Sequence, residues 1–277
     1  MTMDWETQFN PRKAVPTAET YAAASRAKSD LAHARFADIE TMRYGDSPLS
    51  NLNFRRARTP GRPLLVFVHG GYWRGRDKDD FGFLFEAMDA ADINVAILNY
   101  DLCPQVTVRQ ICQQIQSAFV WLHAQAQSLG FDASRIDAAG HSAGAHLIAM
   151  TLAREPAAFC LEEGLIRNAY LISGIYELSP VLNISVNQEI RLKAEEVTDL
   201  SPIRFAPASQ THYEVIVGGG EPRGWQDQSI AFERHIRDQG ADSHLTILPE
   251  RHHYSILQDL ETPDAELSKR LIQNFEG

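Results

Sequence analysis

Ala138-Ala139-Gly140-His141-Ser142-Ala143-Gly144-Ala145-His146-Leu147 is the stretch that decides how this chain folds. It sets a serine between two glycines at G-x-S-x-G spacing. Upstream, Arg135-Ile136-Asp137-Ala138-Ala139 can be a buried strand, and the Ala/Leu/Ile/Met run downstream can be a helix. A serine on a strand-to-helix turn sharp enough to present its hydroxyl holds strained dihedrals. Its neighbours two residues away must therefore lack bulk, and glycine is the safest choice. The same turn aims the first amides of the helix, near Ala143, at the space beside the Ser142 oxygen, where an anion can be stabilised. A small-residue turn that only packs a helix on a sheet is the bland alternative.

Outward from this turn, strands alternate with helices. Leu64-Leu65-Val66-Phe67-Val68 is a continuous apolar run of strand length, as expected for a strand buried on both faces of a parallel sheet. Asn94 to Asn99, Asn168 to Ser173, Tyr213 to Val217 and Ser243 to Leu248 read as further strands. Phe81 to Ala91, Val108 to Leu129, Gln228 to Gln239 and Pro263 to Phe275 read as helices. Such alternation implies a mostly parallel, doubly wound sheet flanked by helices. Leu52-Asn53-Phe54-Arg55-Arg56 alternates as an exposed edge strand would. Tyr176 to Pro207 is irregular and polar, with a short helical stretch near Asn187 to Glu195, and an insertion of that kind commonly builds a pocket wall. Residues 1–45 form a helical leader, Ala18 to about Phe36 being a surface helix that either packs at the edge or partly caps a site. No repeat or linker divides the chain, so a single domain over residues 1–277 is expected.

The chain of 277 residues is 44% hydrophobic and 22% charged, the composition of an ordinary globular protein large enough to bury a sizeable core. Its net charge of −10, with scattered basic residues, disfavours nucleic acid and anionic membrane as partners. No apolar run approaches the roughly 20 residues needed to cross a bilayer, and the polar start carries no visible secretion signal. A cytoplasmic location is the expectation, with a small-molecule substrate as partner and a homodimer left open. Cys103, Cys112 and Cys160 are too few and too irregular for a disulfide framework or a zinc site, and read as reduced packing residues.

A serine hydroxyl is a poor nucleophile without a base, and the base needs an orienting acid. Both follow Ser142 in the chain, each just after an expected strand, and in a parallel sheet all strand C-termini meet at one edge. His253 is the preferred base over its neighbour His252, because it follows the last strand in a loop-to-helix transition. His69 and His141 suit supporting hydrogen bonds better than base chemistry. Glu221, after Val215-Ile216-Val217-Gly218-Gly219-Gly220, is the best-placed acid. Asp227 is its rival, and either carboxylate could instead cap a helix. His69-Gly70-Gly71-Tyr72 follows the first buried core strand, where amides can approach a developing oxyanion; with the Ala143 amide they would form an oxyanion hole. Tyr72, Trp73 and Tyr176 would line an aromatic pocket. There is no G-K-[ST], G-x-G-x-x-G, H-E-x-x-H or C-x-x-C in the sequence, so neither a cofactor nor a metal is expected.

Taken together, H-G-G-Y-W-R at His69 to Arg74, G-H-S-A-G-A-H at Gly140 to His146, S-G-I-Y-E-L at Ser173 to Leu178 and H-H-Y-S-I-L at His252 to Leu257 resemble the kynurenine formamidase (arylformamidase)-like branch of the α/β-hydrolases. That branch lies near the hormone-sensitive-lipase-type esterases. Asn99-Tyr100-Asp101-Leu102-Cys103-Pro104 and the G-G-x-E-P segment ending in Glu221-Pro222 are also similar to it. The resemblance runs from about residue 44 to 260. It implies an α/β-hydrolase fold, Ser142 as nucleophile, Glu221 as acid and His253 as base, with oxyanion donors at the Gly71, Tyr72 and Ala143 amides. The family often has Asp where Glu221 stands and Phe where Tyr254 stands, which keeps Asp227 in play. The implied activity is a serine hydrolase cleaving an aryl formamide or a small-acyl aryl amide. A carboxylesterase for short acyl esters and a catalytically silent ligand-binding protein are the alternatives.

Overall fold

A computed structural model describes residues 4–155 and 161–276. Its centre is a sheet of eight strands: β1 (Glu40–Arg43), β2 (Asn51–Arg55), β3 (Arg62–Val68), β4 (Asn94–Leu98), β5 (Phe131–His141), β6 (Asn168–Ile172), β7 (His212–Gly218) and β8 (Ser243–Leu248). Their spatial order is β1-β2-β4-β3-β5-β6-β7-β8. The pairings β1–β2 and β2–β4 are antiparallel; all the others are parallel. β3 lies between β4 and β5, and its side chains from Leu64 to Val68 are fully buried. That is why its sequence is apolar without alternation.

The helices are α1 (Trp5–Phe9), α2 (Pro11–Ala14), α3 (Ala18–Arg35), α4 (Phe83–Asp89), α5 (Val108–Leu129), α6 (Ala143–Thr151), α7 (Asn187–Ile190), α8 (Arg223–Asp238) and α9 (Glu266–Glu276). They sandwich the sheet. Leu64, Val66 and Val68 of β3 share one core with α5, α6 and α8, while Leu65 and Phe67 share the other with Ala32 of α3, α4 and α9. α5 has both ends fixed by its sequence. The Thr107 and Gln110 side chains cap its start reciprocally, and Gly130 at φ 80° ends it. Ile111, Ile115, Ala118, Phe119 and Leu122 form its buried stripe.

Some elements differ from the expectation. Asn51–Arg55 is not the edge; β1 pairs outside it, and both Leu52 and Phe54 are buried. Its polar residue Asn53 lies beside Thr41 Oγ1 (2.8 Å) and donates to Asp79 (2.7 Å), so polar partners replace the solvent that the alternation suggested. The Phe81 to Ala91 segment splits into a single 3₁₀ turn at Lys78–Phe81 and α4. α8 begins five residues before Gln228, and α7 stops at Ile190, where Arg191 turns left-handed at φ 60°. Cys103 and Cys112 are free and buried, and Cys160 lies outside the described residues. Among the described residues, no helix is long and apolar enough to cross a membrane.

Candidate active site

Ser142 sits between β5 and α6 at φ 56° and ψ −117°, a strained conformation for a residue with a Cβ. Its side chain does not cap α6. The two glycines of the motif are needed for contact rather than for dihedral freedom. A Cβ on Gly140 would fall 2.6 Å from the Gly144 carbonyl carbon, and one on Gly144 would fall 2.6 Å from the Val68 carbonyl carbon. The absence of a side chain at Gly140 therefore lets the elbow close on itself, and its absence at Gly144 lets α6 press against the end of β3.

His253 and Glu221 follow β8 and β7 at the same edge of the sheet. His253 Nδ1 lies 2.8 Å from Glu221 Oε2. A carboxylate can only accept, so the imidazole donates through Nδ1. The other oxygen of Glu221 accepts from Ser173 Oγ (2.6 Å) and from the Gly218 amide (2.8 Å). Both residues are buried, at 4% exposure each. Trp225 meets the His253 ring edge-on at 4.7 Å, and its Nε1 donates to the Ser173 carbonyl (2.6 Å). His141 Nε2 donates to the His253 carbonyl (2.9 Å), tying the elbow to the loop that carries the imidazole. Burial, then the neighbouring His253, pushes the His141 pKa well below its usual value, so this ring is a neutral strut.

His252 does not share this setting. Its Nδ1 accepts from the Tyr254 and Ser255 amides, and its ring meets Tyr21 edge-on at 4.8 Å. Asp227 lies within α8, half exposed, and pairs with Arg223 at 2.8 Å. His69 stacks on Tyr100 at 4.3 Å beneath the Gly70-Gly71 loop. In that loop Gly71 has φ 120° and Tyr72 φ 52°. Among the described residues, the Gly71 and Tyr72 amides donate to no protein acceptor. The Ala143 amide opens α6 and is one of its orphan donors.

Ser142, His253, Gly71 and Tyr72 line one cavity of about 120 Å³. Its far wall comes from Asn10, Pro11, Ala18 and Ala22, so the leader roofs the site. The Tyr72 hydroxyl donates to the Phe9 carbonyl (2.6 Å) and holds that roof down. Trp73 and Tyr176 do not line the cavity as expected. Both are fully buried; Trp73 packs edge-on against His146 and Tyr176 stacks on Phe232 at 4.0 Å. Tyr254, Leu257, Phe81 and Val186 take the place expected for them. Among the described residues, no group of three or more His, Cys, Asp or Glu is arranged to hold a metal ion.

The sheet order, the elbow and the paired acid and imidazole coincide with similarities across the whole chain. A solved structure from a Silicibacter species, described as a candidate thioesterase, superposes with a TM-score of 0.82 at 28% identity, covering 97% of this chain and 98% of that one. The chain has the α/β-hydrolase fold. Residues 52–164 match the BD-FAE family model. The kynurenine formamidase of Danio rerio is 25% identical over 97% of this chain and 94% of its own length. That of Drosophila melanogaster is 26% identical over 86% and 81%. A hyperthermophilic esterase from Pyrobaculum calidifontis shares the fold, with a TM-score of 0.73 at 18% identity over 95% and 92% of the two chains. The chain is thus similar over most of its length to the kynurenine formamidases and also to esterases, and is a hydrolase of the formamidase or esterase kind.

Proposed function

We propose that this α/β-hydrolase cleaves an aryl formamide or small-acyl aryl amide through an acyl-enzyme on Ser142. The observation that carries the reading is the Glu221–His253 hydrogen bond of 2.8 Å, beside the cavity that Ser142 also lines. His253 Nε2 takes the Ser142 proton as Oγ attacks the carbonyl, and Glu221 orients the ring and offsets its transient positive charge. The tetrahedral oxyanion is held by the Gly71, Tyr72 and Ala143 amides, and each such donor is worth about 3 kcal/mol in comparable enzymes. The C–N bond breaks as the imidazolium returns the proton to the leaving aryl amine. Water then attacks the acyl-serine, gives its proton to His253, and the carboxylic acid leaves as Ser142 recovers its hydrogen.

The cavity supports a small acyl group: at about 120 Å³ it is smaller than the apolar cavity of about 150 Å³ that accommodates benzene in an engineered protein. The kynurenine formamidase relatives support the formyl group. The esterase relatives, such as LipQ of Mycobacterium tuberculosis at 27% identity over 80% of this chain and 58% of its own, support short acyl esters as the second reading. Kinetics on N-formylkynurenine and p-nitrophenyl acetate separate the two: a higher kcat/KM for the formamide supports the amidase, and the reverse supports the esterase. A fluorophosphonate probe should label the native protein and not Ser142→Ala. Equal labelling of both would remove Ser142 from the chemistry.

A further inference from the structure

The elbow requires glycine at 140 and 144 but asks nothing of residue 141, which here is a histidine on the wall of the Ser142 cavity. Its Nε2 lies 2.9 Å from the His253 carbonyl. A carbonyl can only accept, so Nε2 carries a proton. Burial keeps the ring neutral, and Nδ1 is therefore left with a lone pair. No group among the described residues donates to that nitrogen, yet it is not sealed in the interior, although His141 as a whole is only 4% exposed. Nδ1 stands next to Gly70, another residue of the cavity wall, where a Cβ would come within 3.0 Å of it.

A bare acceptor at this place bears on how the leaving group departs. An amide nitrogen leaves only after taking a proton, so in the tetrahedral intermediate its lone pair must face His253 and its own N–H must point elsewhere. That nitrogen has to lie within hydrogen-bond reach of the His253 ring, and the His141 ring is 4.7 Å from it, tilted by 49°. Other polar side chains of the wall are occupied: the Tyr72 hydroxyl donates to the Phe9 carbonyl, and Glu19 pairs with Arg12 at 3.2 Å. An ester oxygen carries no hydrogen and has no use for such an acceptor.

We propose that His141 Nδ1 accepts the N–H of the scissile amide, which makes His141 the residue that favours amides over esters at Ser142. The inference rests on the proposed acyl-transfer reading and deepens it. No covalent bond is made or broken at His141; it holds one hydrogen of the nitrogen while His253 delivers the other. As the nitrogen takes up that proton it gains positive charge and becomes a stronger donor, so the contact favours the transition state over the bound substrate.

The test is a ratio, kcat/KM for 4-nitroacetanilide over that for 4-nitrophenyl acetate, in the native protein, His141→Gln and His141→Asn. The Gln amide can replace Nε2 at the His253 carbonyl but sets no acceptor where Nδ1 was. The Asn carbonyl takes the place of Nδ1 but falls short of His253. The ratio should drop on the order of tenfold in His141→Gln and stay within about twofold of native in His141→Asn, where both rates fall together. An unchanged ratio in His141→Gln, or an equal drop in both variants, overturns the assignment. Nitrogen-15 spectra of Ser142→Ala read the same contact with His141 intact, should His141→Gln fail to fold. Acetanilide should move the His141 Nδ1 resonance upfield and phenyl acetate should not; the same shift with both overturns the proposal. Activity that survives in Ser142→Ala would sink the acyl-transfer reading instead, leaving the spectra to decide whether His141 holds the amide hydrogen.

Discussion

Glu221 grips the His253 imidazole with one carboxylate oxygen at 2.8 Å while Ser173 and the Gly218 amide hold the other. All three acceptor contacts fix the plane of the carboxylate, and with it the ring. Asp227, six residues on, points to an exposed pair with Arg223. Replacing Glu221 with Ala should lower kcat by about 10⁴, the scale of loss seen when the acid of a Ser-His-acid set is altered or removed. Asp227→Ala should stay within about twofold, because exposed ion pairs contribute about 0–1 kcal/mol. Steady-state rates on one substrate check both, and a silent Glu221→Ala would end the assignment.

One of the bonds that hold the roof over the cavity is made by a buried hydroxyl, that of Tyr72. Tyr72→Phe leaves the Phe9 carbonyl without its donor, at a cost of about 1–3 kcal/mol if the carbonyl stays buried. Residues 4–17 should then exchange amide hydrogens faster than in the native protein, with KM rising more than kcat falls. Unchanged exchange in that segment would mean that Gln8, which accepts from the Gly224 amide at 2.8 Å, suffices as the anchor.

Gly144→Ala should destabilise the fold even though the substitution favours helix. The new methyl would meet the Val68 carbonyl and force the elbow off the end of β3. Overpacking of this kind costs about 1–3 kcal/mol. Urea denaturation should register a lower midpoint, and fluorophosphonate labelling of Ser142 should slow in parallel.

Stability should fall on acidification through a histidine outside the site. His146 is fully buried, with Nε2 donating to the Leu200 carbonyl (2.8 Å) and no partner for Nδ1 among the described residues. Desolvation pushes its pKa down to about 4. The unfolded chain takes up this proton near pH 6.5 and the folded protein only near 4. The contribution is therefore complete above 6.5 and is lost as pH falls through that window, by up to about 3 kcal/mol. His212 works in the opposite sense. Hydrogen bonds to Glu214 and then Asp242 raise it to about 9, so its smaller, half-exposed contribution is complete below 6.5 and is lost as pH rises through 9. Melting temperatures from pH 4 to 9 should show both limbs. His146→Gln should flatten the acid limb, and an unchanged slope there would contradict the assignment.

The succession of strands β2 to β8 along the chain and the position of the elbow were legible because buried parallel strands are apolar runs and because G-x-S-x-G is a contact requirement written in residue types. β1 and the order of strands across the sheet were not legible. Glu221 over Asp227 was legible only as a preference, since both fall near the start of α8 and helix length decides which carboxylate stays at the sheet edge. The fates of Trp73 and Tyr176 were not legible. The left-handed turn at Tyr72 and Trp73 sends the indole down onto His146, and Tyr176 is drawn beneath the surface by Phe232, a residue 56 positions later in the sequence. Nor could spacing reveal Arg76 at the cavity, because its placement follows from a left-handed φ of 74°, a backbone region that non-glycine residues seldom enter.

The leader that roofs the cavity is made long before the parts it rests on. Phe9 seats against Trp225 at 6.1 Å, and Tyr21 meets His252, more than 200 residues downstream. During synthesis the first wall of the binding chamber must therefore wait for nearly all of the chain to emerge, so the nascent protein remains without an enclosed chamber until its last strands have joined the sheet.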